Sequence, residues 1–369
     1  EEIGEVYPFR YVELEGLDDG GECNFVRTAV NYPFDDNASF FHSSDTVLNA
    51  VWDLCKYSIK ATSFCGYYVD GDRERIPYEA DALINQLAHY CVDSEYAMAR
   101  RTADYLLTHP TWPTEWTLQS IFIAYYDYLY TGDKALIEKH YELLKAKTLT
   151  ALREDNGLIS TTTGKLTPEF YSSVAYSLKS VMKDIVDWPR SGSFGLEKKE
   201  AGEADGYVLD TYNTVVNAFH YKALVLMSEI AGALGNRKDA KIYSELSESF
   251  LSTFNALLFD PKALCYRDGL DREGKPIEHH SLHANMLPLL FGMVPDRYEE
   301  PVLEFIHSRG MACSVYGSQY LLDALYDAFD DDYALSLLTS KGRRSWYNMI
   351  RLGSTVTLEA WDPGFKDNL

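Results

Sequence analysis

The chain is 369 residues long and 46% hydrophobic, so it can bury a large core, and we expect one globular domain plus a short extra piece. Its formal net charge of −22 at pH 7 would repel phosphate backbones, so no nucleic-acid partner is expected. It contains no run of about 18 apolar residues, so no membrane insertion is expected either.

The first 44 residues show β-like patterning. Apolar and aromatic residues recur at 6–14 and at 25–31, and Gly and Asp residues separate the two runs. Such runs, bounded by turn residues, predict strands. We therefore interpret residues 1–44 as a short β segment.

Helical periodicity begins after this segment. Ser44 and Asp45 are good N-cap residues, and Val47, Val51 and Leu54 then fall on one helical face. The pattern continues through short breaks, which predicts about ten to twelve helices between residues 45 and 340.

Two of the breaks, at Gly132 and Gly235, indicate helical hairpins, because each Gly would end one helix just before a residue that can cap the next. A mainly α chain of such hairpins suits an (α/α)6 barrel, a double ring of helices whose loops at one end form a deep pocket. The longest break, residues 152–210, is expected to line that pocket.

Residues 67–81 carry an unusual charge pattern. They read YYVDGDRERIPYEAD, so five carboxylates lie among arginines, aromatic residues, Gly and Pro. Pro77 suits the first position of a helix that starts near Tyr78, and this helix start would gather the carboxylates. The pattern favours an acid/base site, and the alternative is a surface loop whose acids pair with Arg73 and Arg75.

A second segment, residues 353–363, reads GSTVTLEAWDP and surrounds Glu359 with Gly, hydroxyl side chains and Trp. Glu359 lies 285 residues after Glu74, so only the tertiary structure could bring these two carboxylates together.

The two segments together resemble the six-hairpin catalytic domain of glycoside hydrolase family 78, the bacterial α-L-rhamnosidases. That family carries its general acid on the Glu of a D-x-x-x-R-E-R-x-G-W-x-G-D pattern. It carries its general base on the Glu of a later G-A-T-x-x-W-E-x-W-D pattern. Arg73, Glu74 and Asp81 stand at the spacing of the first pattern, and Glu359 and Trp361 at that of the second.

The resemblance spans nearly the whole chain. Residues 9–16 look like the strand that ends the β-domain in front of the family's helical domain, and Asp187 and Trp188 look like its Asp-Trp active-site loop. It implies that residues 1–44 are the remnant or linker of a preceding β-domain and that residues 45–369 form the (α/α)6 catalytic barrel. Since family members have a closing helix just beyond this point, the resemblance also implies a barrel that lacks its last helix.

The sequence departs from the family pattern at three places, and each affects a group that would contact the sugar. Pro77 and Tyr78 replace the family's Gly-Trp, and Asp70 fits the family's first Asp only if one residue is deleted. Leu118 stands where members often carry an Asp. The resemblance therefore supports glycoside hydrolysis more strongly than it supports rhamnose as the sugar.

The implied activity is hydrolysis, with inversion, of a terminal α-linked L-rhamnose or a related sugar from glycans or glycosides. Glu74 would be the general acid and Glu359 the general base, about 6.5 to 9.5 Å apart so that a water molecule fits between them.

Candidate substrate contacts follow from the resemblance and from the aromatic residues, which could equally pack in the core. Asp70 and Asp81 would accept hydrogen bonds from sugar hydroxyls. The other candidates are Arg73, Tyr78, Trp116, Asp187, Trp188, Trp346 and Trp361. We expect the side chains of Asp70, Glu74, Asp81, Trp188 and Glu359 to converge on one cavity.

No metal and no organic cofactor are expected. The six Cys residues show no CxxC spacing, which disfavours zinc. His279, His280 and His283 form a cluster that we interpret as loop or helix-start residues rather than metal ligands.

Two alternatives remain. Another (α/α)6 enzyme, such as an unsaturated uronide hydrolase or a polysaccharide lyase, would need basic groups or a Tyr/His base, which the acidic residues of 70–81 oppose. A non-catalytic carbohydrate-binding relative is favoured by the loss of the family Gly-Trp and opposed by the retention of Glu74 and Glu359.

The expected partners are a carbohydrate substrate and additional β-domains of a longer parent chain. We expect a soluble bacterial protein, periplasmic or secreted rather than cytoplasmic.

Overall fold

The computed structural model describes residues 6–7, 9, 11–16, 22–69, 74–177, 180–189 and 203–364. Over these ranges the protein is mainly helical. The helices are α1 (Thr46–Thr62), α2 (Glu79–Val92), α3 (Ala97–Thr108), α4 (Thr114–Thr131), α5 (Ala135–Lys139), α6 (Tyr141–Lys147), α7 (Pro168–Ser173), α8 (Thr214–Ala233), α9 (Arg237–Leu258), α10 (His283–Leu290), α11 (Glu299–Arg309), α12 (Gly317–Asp327), α13 (Asp331–Leu338) and α14 (Trp346–Arg351).

Four two-residue strands accompany the helices in the described ranges. They are β1 (Tyr212–Asn213), β2 (Phe259–Asp260), β3 (Cys265–Tyr266) and β4 (Gly269–Leu270). β1 pairs with β4 and β2 with β3, both antiparallel. These short pairs brace the loops around α8 and α9 and form no larger sheet within the described part of the chain.

The first helix begins where its capping residue predicts. The Asp45 carboxylate accepts hydrogen bonds from the backbone N–H groups of Val47 and Leu48, at 2.7 and 3.1 Å, and α1 starts at Thr46. Val47, Val51 and Leu54 are buried, so the predicted apolar face of α1 is confirmed.

The two predicted hairpin turns are also confirmed. Gly132 ends α4 with a left-handed φ of 70°, and the Asn236 side chain caps α9 by accepting from the backbone N–H of Asp239. Thirteen α-helices lie between residues 45 and 340 in the described ranges, against ten to twelve expected. The excess comes from short helices such as α5, α6 and α7.

Within the described ranges, five helices form an inner layer and pack in succession: α2 on α4, α4 on α8, α8 on α10 and α10 on α12. α4 and α8 are buried on most of their surface, as inner helices must be. Shorter or more amphipathic helices cover them: α3 on α4, α9 on α8, α11 on α10 and α13 on α12. No helix in the described ranges has both the length and the apolar character needed to cross a membrane.

The predicted strands of the first 44 residues are not seen. The described part of this segment, residues 6–7, 9, 11–16 and 22–44, contains no strand, and many of its apolar side chains are exposed. A strand needs a neighbour that pairs with its backbone N–H and C=O groups, and the described residues supply none. The origin of residues 1–44 as the remnant or linker of a β-domain stays a prediction.

Candidate active site

A cavity of about 610 Å³, a volume typical of ligand sites, lies where α2, α4 and α12 begin. α1 and the segment after α14 close its other sides. Carboxylate, aromatic and apolar side chains line it together. Seven predicted site residues are among them: Glu74, Tyr78, Asp81, Trp116, Trp188, Trp346 and Glu359.

The start of α2 presents the first pair of carboxylates. Glu74 is exposed in the loop before the helix, and Asp81 is half-buried in the first turn. We had expected Pro77 at the first position of α2. Instead Tyr78 is the N-cap residue, so Pro77 precedes the cap.

Glu79 points away from this pair. Its buried carboxylate accepts hydrogen bonds from the backbone N–H of Thr111, at 3.0 Å, and from the Thr111 hydroxyl. Burial raises the pKa of Glu79, and the buried ammonium of Lys147 acts in the opposite direction. Glu79 therefore does not line the cavity, because helical residues two apart point in different directions.

Glu359 reaches the cavity from the irregular segment after α14. The Trp188 indole N–H donates a hydrogen bond to Glu359 Oε1 at 2.8 Å. The backbone N–H of Thr357 donates to the hydroxyl of Ser58 on α1, also at 2.8 Å. These contacts hold the segment against both the 184–189 loop and α1.

Aromatic rings form much of the cavity wall. Tyr78 and Trp116 meet edge to face, with ring centroids 5.5 Å apart. Trp346 lines another wall and packs edge to face on Trp361 at 5.0 Å. Trp361 itself is fully buried and its indole N–H donates to the Cys313 carbonyl at 2.8 Å, so the predicted sugar contact by Trp361 is not seen.

The predicted sugar contact by Asp187 is also not supported by its position. Its side chain is buried and does not line the cavity. His283 Nε2 lies 2.6 Å from its carboxylate, and the backbone N–H of Ser314 donates to it at 2.9 Å. Asp187 therefore holds loops together, while its neighbour Trp188 faces the cavity.

Two predicted substrate contacts, Asp70 and Arg73, lie outside the described residues. Leu118, at the position where the resemblance places an Asp in other proteins, is fully buried and does not line the cavity.

Each of the three clustered histidines contacts a different carboxylate. The pairs are His279 with Asp268, His280 with Asp260, and His283 with Asp187. In the described part of the chain, no three His, Cys, Asp or Glu side chains are arranged to hold a metal ion.

The charge of the lining is one-sided. Among the described lining residues, Glu74, Asp81, Asp323 and Glu359 carry carboxylates, and none is Lys, Arg or His. Such a cavity favours a neutral ligand over an anionic one.

Residues 36–368 match the family model described as the bacterial α-L-rhamnosidase six-hairpin glycosidase domain. The chain belongs to this family. A search of curated proteins found no match.

Solved structures agree with this assignment at the level of the fold. The family 78 rhamnosidase of Bacillus sp. GL1 superimposes with a TM-score of 0.71 and 19% identity, over 89% of this chain and 33% of that one. The α-L-rhamnosidase of Dictyoglumus thermophilum superimposes with a TM-score of 0.66 and 22% identity, over 90% of this chain and 36% of that one. For a Klebsiella oxytoca rhamnosidase with rhamnose bound, the TM-score is 0.65 and the identity 14%, over 89% of this chain and 60% of that one. The chain thus spans about a third to three fifths of these proteins.

Within this six-hairpin rhamnosidase domain, several lining residues had not been predicted. Trp112 lines the cavity and stands four residues before Trp116, a spacing that could have pointed to it. Tyr316 and Gln319 lie at the start of α12, in a stretch without a recognisable motif. The Tyr316 hydroxyl accepts a hydrogen bond from Gln119 Nε2 at 2.6 Å, a contact that only the tertiary structure reveals.

Proposed function

We propose that this domain hydrolyses a terminal α-linked L-rhamnose, or a related neutral deoxysugar, from a glycan or glycoside with inversion of configuration. The observation that carries the proposal is that Glu74 and Glu359, 285 residues apart in sequence, line one cavity. Membership of the rhamnosidase six-hairpin family supports it.

Glu74 would act as the general acid and protonate the leaving oxygen. Its exposed position in the loop before α2 suits this role, because a leaving group beside it faces solvent. Asp81, in the first turn of α2, would accept hydrogen bonds from the hydroxyl groups of the sugar ring whose bond is cleaved.

Glu359 would act as the general base and take a proton from the attacking water. Its carboxylate is half-buried, and the Trp188 indole N–H bound to Oε1 fixes one of its two oxygens.

The aromatic walls suit a sugar with an apolar edge. The rings of Tyr78, Trp116 and Trp346 offer faces and edges against which a methyl group or the C–H side of a pyranose packs. A uronic acid would bring a carboxylate into a lining whose described residues contain no basic side chain. The charge of the described lining therefore disfavours the uronide alternative.

The test compares Glu74→Gln with Glu359→Gln on two substrates. On a natural glycoside, loss of the general acid should lower kcat by about 10²- to 10⁴-fold. On an aryl glycoside whose leaving group needs little protonation, Glu74→Gln should lose far less. Glu359→Gln should be severely impaired on both substrates, because the attacking water needs its base whatever the leaving group.

Glu245→Gln, on the exposed side of α9, is the matched control and should behave as wild type. Proton NMR of the first-formed sugar reports the stereochemical outcome, and retention of configuration would contradict the mechanism. Equal losses for both variants on both substrates would contradict the assigned roles. A wild-type protein that binds L-rhamnose and cleaves no member of a broad glycoside panel would favour the non-catalytic alternative.

A further inference from the structure

The loop that presents Trp188 is tied down from beneath by one buried carboxylate. Asp187 accepts hydrogen bonds from the backbone N–H of Ser314 and from the Ser314 hydroxyl, and His283 Nε2 lies 2.6 Å from Oδ2. Its Oδ1 also accepts from the backbone N–H of Trp188 at 2.8 Å. One side chain therefore joins the 184–189 loop to the starts of α10 and α12.

The packing around Asp187 leaves little room for another arrangement. A Cβ atom at Gly317, the first residue of α12, would lie 2.6 Å from Asp187 Oδ2. Glycine at 317 thus permits the carboxylate to approach the helix start, where the helix dipole favours a negative charge. Glu115, in the first turn of α4, supports the same loop by accepting from the backbone N–H groups of Ile185 and Val186.

Trp188 connects this buried support to the cavity. Its backbone N–H is held by Asp187, and its indole N–H donates to Glu359 Oε1 at 2.8 Å. The Trp188 side chain is 37% exposed, so packing alone does not fix the direction of its indole N–H. The orientation of the ring depends on the loop beneath it.

We propose that Asp187, oriented by His283 and Ser314, is a positioning residue that acts through Trp188 to set the orientation of the Glu359 carboxylate. Asp187 itself touches no substrate. This inference rests on the proposed role of Glu359 as the general base.

A double-mutant cycle between Asp187→Asn and Trp188→Phe tests the inference. Trp188→Phe keeps an aromatic ring and removes the indole N–H, so it should lower kcat by about tenfold or more, the usual effect of losing a hydrogen bond to a charged group. Asp187→Asn should lower kcat by a similar factor in the wild-type background. In the Trp188→Phe background it should cost less than about twofold, because the contact through which it acts is already gone.

Asp205→Asn is the matched control. Asp205 is also a buried carboxylate that ties an upstream loop to the start of α10, since it accepts from the backbone N–H of Leu282 at 2.7 Å. Among the hydrogen bonds of the described residues, those of Asp205 go to Leu282 and Arg309 and not to Trp188. Its effect on kcat should be the same factor with Trp188 as with Phe at that position.

The outcomes separate this inference from the proposed function. If Asp187→Asn costs the same factor in both backgrounds, or if Trp188→Phe leaves kcat unchanged, the positioning role is overturned while Glu359 can still be the base. If Glu359→Gln leaves activity intact, the proposed function itself fails. Should Asp187→Asn not fold, Ser314→Ala, which removes one donor from Asp187, enters the same cycle with the same expectations.

Discussion

His220 on α8 is a buried imidazole that stays neutral in the folded protein. Its Nδ1 lies 2.6 Å from the Thr148 carbonyl, to which it donates, and its ring meets Phe250 edge to face at 4.9 Å. Burial lowers the pKa of His220 to about 4. Between about pH 4 and 6.5, His220 is therefore neutral in the folded protein and protonated in the unfolded chain.

The sign of the resulting pH dependence follows from linkage. An unfolded His takes up its proton below about pH 6.5, so the stability associated with neutral His220 is complete above that pH and falls as the pH drops towards 4. The loss should reach about 3 kcal/mol at pH 4. In urea unfolding, the stability difference between wild type and His220→Gln should shrink by this amount from pH 7 to pH 4.

His42→Gln, at an exposed site before α1, is the control for this experiment and should retain the pH dependence of the wild type. A difference between wild type and His220→Gln that stays constant over this range would show that His220 does not titrate differently in the two states.

The residues that the sequence could identify are those whose chemical type and spacing are tied to the proposed reaction. Glu74 and Glu359 stood out in this way, and both line the cavity. Asp187 and His220 depend on partners far along the chain, since Thr148 lies 72 residues from His220 and Ser314 lies 127 from Asp187. No local pattern encodes such contacts, so Asp187 was expected to meet the sugar and instead supports a loop.

At the scale of elements, the N-cap of α1 matters for the site because α1 forms one wall of the cavity. Asp45→Ala removes the acceptor for the N–H groups of Val47 and Leu48 and should lower the free energy of unfolding by about 1 kcal/mol. Asp53→Ala, at an exposed position within the same helix, should change it by less than about 0.5 kcal/mol. Urea denaturation compares the two, and equal effects would argue against the capping contribution.

Helices were predictable as elements because their signals are local. Caps, a 3.6-residue period and Gly at the ends each act within one or two turns. In the described part of residues 1–44 the β-like runs form no strand, because a strand is stable only beside a partner, which alternation cannot supply. From sequence, the 184–189 loop showed only its Asp-Trp pair. The hydrogen bonds that shape it come from α4, from α10 and from Ser314, three residues before α12.

At the scale of the whole molecule, the cavity lies between the first and the last helix of the inner layer. Packing runs from α2 through α4, α8 and α10 to α12, and the cavity occupies the side where α12 and α2 would meet next. Its lining there combines the apolar side chains of Ile84 and Leu322 with the polar side chains of Asn85, Gln319 and Asp323. Such a wall offers hydrogen-bonding groups and apolar surface together, as ligand sites do.

We therefore expect a charge at position 84 to disturb the cavity more than the fold. Ile84→Asp should lower the free energy of unfolding by less than about 1 kcal/mol, because Ile84 is half-buried at the cavity wall and not in the core. If the proposed function holds, the same change should raise KM for the glycoside, because it replaces an apolar part of the lining by a carboxylate. Leu83→Ala, one residue away in the core, should cost about 2 to 5 kcal/mol of unfolding free energy and leave KM unchanged. Urea denaturation and steady-state kinetics measure the two effects. If Ile84→Asp destabilises the fold as much as Leu83→Ala and leaves KM unchanged, Ile84 serves the core and not the ligand cavity.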